Sequence, residues 1–219
     1  MTYKQNINTL DYWNCRFGTG DWKDKGGFSQ TRLFAECQIE YLGIHKEFSG
    51  VLCDFGCGAG DAFPVYRAAF PNAKLVGVDF SSEAIQLCRE KYSDLAEFIV
   101  GDCKAVPNCD VIIVSNVLEH LDDDNIVISN LLERSRNLFV IVPFQETQLC
   151  AEHVRSYSYD AMSEFPVVKK IVFASRGWSE FGFISLFINI RVTNIFRKLF
   201  GRPVRSRRMQ ILFEMAADL

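Results

Sequence analysis

The stretch Val51-Leu52-Cys53-Asp54-Phe55-Gly56-Cys57-Gly58-Ala59-Gly60-Asp61 constrains this chain more than any other. A short apolar run bounded by turn signals reads as a buried strand, and the alternate glycines let the backbone turn sharply and come close to a ligand. The spacing is Gly-x-Gly-x-Gly. A dinucleotide fingerprint would put its third glycine where Asp61 stands, and a phosphate-cradling loop needs a Gly-Lys-Ser/Thr that does not follow. There remain Asp54, ahead of the first glycine, and Asp79, at the end of the next predicted strand. Two carboxylates in these places suit a cationic amine and a ribose diol, whereas they would repel a pyrophosphate.

Asp54-Phe55-Gly56-Cys57-Gly58-Ala59-Gly60, Gly77-Val78-Asp79-Phe80-Ser81, Gly101-Asp102 and Asn116-Val117-Leu118-Glu119-His120-Leu121 follow one another over residues 50 to 145. Together they resemble the motif series of class I S-adenosylmethionine-dependent methyltransferases, whose cofactor carries the amine and the diol just inferred. The resemblance implies an α/β Rossmann-like fold, a seven-stranded, mostly parallel sheet of order 3-2-1-4-5-7-6 with helices on both faces. It also implies cofactor contacts from Asp54, Gly56, Cys57, Gly58 and Gly60 in the loop, and from Asp79, which would accept the ribose hydroxyls. Phe80 would lie on the adenosine, Asp102 would bond the adenine amino group, Cys103 would offer a backbone donor, and Asn116 would stand at the mouth of the site.

A length of 219 residues suits a single domain, since one core serves up to ~250 residues. Its expected division is an N-terminal helical lid over 1–50, a cofactor-binding core over 51–145 and a substrate side over 146–219. Hydrophobic content of 48% and charged content of 23% are those of an ordinary soluble globule, and a net charge of -3 names no partner. The eight cysteines lack C-x-x-C spacing, which predicts free thiols in a reducing compartment and neither zinc nor disulfides. Without a secretory leader or a run of ~20 apolar residues, a cytoplasmic location is expected.

The leader carries Trp13, Arg16, Phe17 and Trp22, either as a packing cap or as a lid over the cofactor. Its W-x-x-R-F-x-x-G-D-W pattern is similar to the opening of some small bacterial methyltransferases. That resemblance places Trp13 and Arg16 near the methionine end, with Arg16 in a two-pronged bridge to the cofactor's carboxylate.

A predicted fourth strand, Asp110 to Ser115, delivers Asn116, Glu119 and His120 to the mouth. Asp122-Asp123-Asp124 reads as the acidic start of a helix, so no metal ligands are expected there. Beyond a fifth strand, Leu138 to Val142, Glu152-His153-Val154-Arg155-Ser156-Tyr157 stands where many class I enzymes bring substrate groups to the methyl donor. Glu119, Arg155 and Tyr157 are the candidate substrate contacts. His153 is the candidate base, a neutral imidazole at cytoplasmic pH, and His120 competes for that role.

Phe165 to Ala174 and Met209 to Met215 read as the last strands, separated by a helical insertion over 178–208. From Arg191 to Arg208 the insertion is basic, with Arg197, Lys198, Arg202, Arg205 and Arg207 and no acid. Such a face suits an anionic acceptor, nucleic acid or an anionic membrane, or is simply solvated; stacking aromatics for nucleic acid are lacking. The apolar face of the insertion would cover the substrate or a second subunit of a homodimer. The leading expectation is O-methylation of a small polar acceptor such as a sugar or nucleotide-sugar. A protein or RNA methyltransferase docking through 191–208, and a non-catalytic cofactor-binding protein, are the alternatives.

Overall fold

The computed structural model describes residues 6–147, 149–175, 195–196, 198–201 and 209–216. Most of the basic insertion therefore lies outside the described residues, including Arg191, Arg197, Arg202, Arg205, Arg207 and Arg208. The described elements are α1 (Leu10–Gly18), α2 (Asp21–Asp24), α3 (Gly27–Leu42), β1 (Val51–Phe55), α4 (Phe63–Ala69), β2 (Lys74–Asp79), α5 (Ser82–Tyr92) and β3 (Glu97–Val100). After them come β4 (Cys109–Ser115), α6 (Asp124–Leu132), β5 (Ser135–Pro143), β6 (Val167–Ala174) and β7 (Met209–Ala216).

The seven strands form one sheet of order β3-β2-β1-β4-β5-β7-β6, as expected. Strands β1 to β5 pair in parallel, and β7 runs antiparallel to both β5 and β6. Alternation within the apolar strands fills both faces. Leu52, Leu75, Ile113 and Ile141 join one core, while Cys53, Val76, Val114 and Val140 join the other. The strand β5 starts at Ser135, ahead of its apolar run, because this polar start still pairs with Cys109 on β4. The order reverses between β1 and β4, so the loops leaving their carboxyl ends splay apart and leave a crevice.

Local chemistry sets the helix starts that border this crevice. Thr9 caps α1 by accepting from the Tyr12 N–H, and Ser81 caps α5 by accepting from the Ala84 N–H. Gly27 opens α3 beneath the Trp22 ring, where a Cβ would stand only 2.2 Å from that ring. No helix among the described residues is long and apolar enough to cross a membrane.

Below the glycine loop, Phe63 is fully buried, with its ring 4.9 Å from that of Phe98 and 5.9 Å from that of Tyr66. Deleting such a ring removes its transfer free energy and leaves a cavity. Phe63→Ala is expected to destabilise the fold by about 3–5 kcal/mol in urea unfolding; a loss below about 1 kcal/mol would show that the site collapses or is loosely packed.

Candidate active site

The loop after β1 is tied down before any ligand arrives. Gly56, Gly58 and Gly60 have φ of 74°, 53° and 80°, the left-handed region where a side chain strains the backbone. A Cβ at Gly56 would also stand 2.3 Å from Val117 Cγ2. The N–H groups of Gly56 and Cys57 donate to the Val78 carbonyl at 2.7 and 3.2 Å. Gly58 N–H donates to Asp79 Oδ2, and Ser81 N–H to Asp79 Oδ1, each at 2.9 Å. Asp79 thus links the glycine loop to the start of α5 while keeping further lone pairs for a ligand.

Asp54 and Asp79 are both buried and border a cavity of about 550 Å³. Burial, and then the charge of Asp79, push the Asp54 carboxyl up to about 8. Burial also raises Asp79, to about 6, against the lowering effect of the Ser81 and Gly58 N–H bonds. Neither acid has an ion-pair partner among the described residues. Two desolvated acids facing a cavity without a cation are a donor set suited to an ammonium and a diol, so the residues fit S-adenosylmethionine. Gly56, Cys57, Gly58, Phe80, Asp102 and Cys103 line the same cavity. Asp102 is exposed, and its carboxylate accepts from the Lys104 N–H at 2.9 Å. Gly60 lies off the lining: a Cβ there would stand 3.0 Å from Cys88 Sγ and Tyr92, so this glycine serves the packing of α5.

Asn116 lines the cavity from the end of β4 with a left-handed φ of 55°. Its side chain donates to Ser115 Oγ at 3.0 Å and accepts from Gln210 Nε2 at 2.8 Å. Gln38 of α3 donates to Ser115 Oγ at 2.9 Å and to Gln210 Oε1 at 3.2 Å. This buried network locks α3, β4 and β7 together under the site, and sequence reasoning missed Gln38 and Gln210.

The leader packs against the glycine loop and α5, and its Trp13, Arg16, Phe17 and Trp22 line the cavity. Its Trp13 ring stacks at 6.0 Å on Phe17, lies 6.0 Å from Trp22 and stands edge-on to His120 at 5.4 Å. Asn8 donates to the Glu152 carbonyl at 2.7 Å, and Asn6 to Asp122 at 2.9 Å. Arg16 lines the cavity, but its guanidinium is already engaged, paired with Asp21 at 2.9 Å and with Glu152. The expected bridge to a cofactor carboxylate would have to share Arg16 with these acids.

Arg155 and Tyr157, expected as substrate contacts, lie away from the cavity lining. Arg155 pairs with Asp124 and donates to the Leu121 carbonyl at 2.8 Å, and the buried Tyr157 hydroxyl donates to Asp124 Oδ2 at 2.8 Å. Both strap the segment after β5 to the start of α6. Their spacing beside His153 carried no sign of this, because Asp124 comes from a different element.

Glu119, His120 and His153 do converge on the cavity. The Val154 N–H donates to the Glu119 carbonyl at 2.8 Å, joining the turn after β4 to the segment after β5. Glu119 is fully buried, and neither carboxylate oxygen has a hydrogen-bond partner. Burial raises its carboxyl to about 8, partly offset by His153. His120 Nδ1 donates to the Glu152 carbonyl at 3.1 Å, and burial above all lowers its imidazole to about 4, leaving it neutral. His153 is the opposite case: burial lowers it, but hydrogen bonds with Cys150 and Glu146 outweigh that and bring it to about 10. Its Nδ1 stands 2.5 Å from Glu146 Oε2. The expectation of a neutral His153 is therefore corrected: it is held as a cation by acids its own segment supplies, and the neutral ring is His120.

Residues 52–137 match the sequence model of a family described as a methyltransferase domain. Among solved structures, the chain is similar to one in a complex between the Haloferax volcanii Trm112 methyltransferase activator and a methyltransferase, with TM-score 0.68, 16% identity, and 94% of this chain and 98% of that one covered. It is similar to the plantazolicin methyltransferase BpumL in complex with SAH, with TM-score 0.58, 16% identity and 94% of each chain covered. Coclaurine N-methyltransferase bound to N-methylheliamine and SAH gives TM-score 0.57, 14% identity, and 83% and 71% coverage. No curated protein matches the sequence. The structural likenesses establish the class I methyltransferase fold. Residues 52–137 match the methyltransferase-domain model, and with this match the protein is an enzyme that uses S-adenosylmethionine as methyl donor.

The raised acids make a testable claim about pH. Asp54 has a folded value of about 8, above the unfolded ~3.9, so the folded chain binds the extra proton between these values. Its contribution to stability is complete below pH ~4 and is lost as the pH rises through about 8. Asp54→Asn is expected to stabilise the ligand-free protein more at pH 8.5 than at pH 5.5, by a difference on the order of 3 kcal/mol in denaturant unfolding. An equal effect at both pH values would contradict the assignment.

Proposed function

We propose that this enzyme methylates an oxygen of a small polar acceptor, a sugar, nucleotide-sugar or other anionic metabolite. The observation that carries this reading is the roof over the cavity. Asn6, Asn8, Tyr12 and Arg16 bind the leader to Asp122 and Glu152, so the methyl donor and the acceptor would share one space of about 550 Å³ bounded by Trp13, Trp22 and Phe34. That is the size of a small-ligand pocket, and a folded RNA or protein could insert only a single extended group.

S-adenosylmethionine supplies an electrophilic methyl group on a sulfonium. Asp79 would hold the ribose hydroxyls, Asp54 would face the ammonium, and the rings of Trp13 and Phe80 would flank the cationic and adenosine parts. Cys103 and Asn116 complete this proposed cofactor contact set, with Gly56, Cys57 and Gly58 as the cradle. Arg16 would clasp the roof and turn part of its fork to the cofactor's carboxylate. The acceptor hydroxyl would dock beside Glu119 and His120. Its oxygen bonds to the methyl carbon as the carbon–sulfur bond breaks, and the electron pair stays on sulfur. The proton leaves at the Glu119–His120–His153 cluster, where His120 replaces His153 as the ring able to accept it. Alignment and exclusion of water supply the rest of the acceleration.

An oxygen acceptor is favoured over a nitrogen one because an amine arriving neutral needs no proton acceptor, whereas this site is built around ionisable side chains. Supplying candidate sugars, nucleotide-sugars and polar metabolites with a deuterated methyl donor should yield demethylated cofactor and a product labelled on oxygen by mass spectrometry. Labelling confined to RNA or protein, or to an amine, would overturn the acceptor class.

A further inference from the structure

We propose that Glu119, His120 and His153 form a binding site for one divalent transition-metal cation of the zinc type, placed where the acceptor hydroxyl docks. One ligand atom from each residue lies within 4.8 Å of the other two. Around a zinc ion at ~2.1 Å, ligand atoms lie about 3.4 Å apart, so side-chain rotations of roughly 1 Å would close the site.

Three features point to a cation. Glu119 is fully buried with both oxygens lacking a hydrogen-bond partner, a state that costs several kcal/mol unless a proton or a cation compensates it. Each imidazole has its Nδ1 taken by an outer group, His120 by the Glu152 carbonyl at 3.1 Å and His153 by the Glu146 carboxylate at 2.5 Å. Outer partners of this kind orient metal-ligating histidines and direct Nε2 towards a metal. The two rings also meet edge to face, with centroids 5.0 Å apart and planes at 74°. Two imidazoles and one carboxylate suit zinc and its neighbours in the first transition row, and suit magnesium or calcium poorly. His153 also bonds the Cys150 thiol, and a cation would displace that bond together with the Nε2 proton, which is released to solvent while Nδ1 keeps its proton towards Glu146. The sequence predicted no metal site, since His153 lies far along the chain from the Glu119-His120 pair.

Such a site deepens the reading above and rests on it for the place of the acceptor. Three protein ligands leave a position open for the acceptor oxygen. Coordination there lowers the pKa of the hydroxyl, whose proton passes to solvent before the oxygen bonds to the methyl carbon and the carbon–sulfur bond breaks. His120 is then a ligand and no longer the proton acceptor.

The test is calorimetric titration of Zn²⁺ into the chelator-stripped full chain, with Mg²⁺ as a second arm. One equivalent of zinc should bind, magnesium far more weakly, and Co²⁺ in place of zinc should give visible absorption of a low-symmetry site. Glu119→Gln, close in shape to the native residue, should weaken zinc by at least about 100-fold, and Glu146→Gln by about 10–100-fold. Zinc affinity unchanged in Glu119→Gln, or no binding at one equivalent to the native chain, would overturn the proposal. Titration of S-adenosylhomocysteine into the same samples reports on fold and cofactor site: binding there with no zinc uptake refutes the metal and leaves the methyltransferase reading standing.

Discussion

Asp79 accepts one N–H from the glycine loop and one from the cap of α5, and does so at the sheet's switch point, where it is buried. The loop's three left-handed glycines, the direction of α5 and the shape of the cavity all refer to that carboxylate. Asp54, a second buried acid on the neighbouring strand, leaves the pair without a compensating cation among the described residues. The charge of Asp79 raises the cost of ionising Asp54. Such strain suits a site whose ligand brings its own positive charge: the binding of an ammonium and a sulfonium relieves what the fold has stored.

The remaining parts build outward from this anchor. The network of Gln38, Ser115, Asn116 and Gln210 fixes the end of β4 against β7, two strands that run in opposite directions. From that fixed end the chain turns through Glu119 and His120 towards the segment after β5, and the leader closes over both. Glu152 is the junction: its carboxylate engages Tyr12 and Arg16, and its carbonyl accepts from Asn8 and His120. One residue thereby couples the leader, the neutral imidazole and the loop that carries His153.

The sheet was legible because Leu52, Val76, Ile112 and Val140 belong to apolar runs whose lengths and spacings follow from burial on both faces. The glycine loop and Asp79 were legible because positive φ and a carboxylate at a strand end leave direct marks in sequence. The histidines were not, because their protonation depends on neighbours brought in by folding: Glu146 and Cys150 raise His153, while burial among apolar and aromatic side chains lowers His120. Arg155 and Tyr157 misled for the same reason, since Asp124 reaches them only through tertiary contact. Arg16 looked like a vacant fork until Glu152 and Asp21 closed on it. The basic run from Arg191 to Arg208 lies largely outside the described residues.

The central claim is that two buried, uncompensated acids beside a glycine turn recognise the methyl donor by its positive charge and its diol. Calorimetric titration of S-adenosylmethionine and adenosine into the native chain and into Asp79→Asn compares those contributions directly. The account predicts one site per chain, affinity for the cationic donor well above that for adenosine, and loss of both in Asp79→Asn. Equal affinity for the two ligands, or donor binding that survives that substitution, would contradict it.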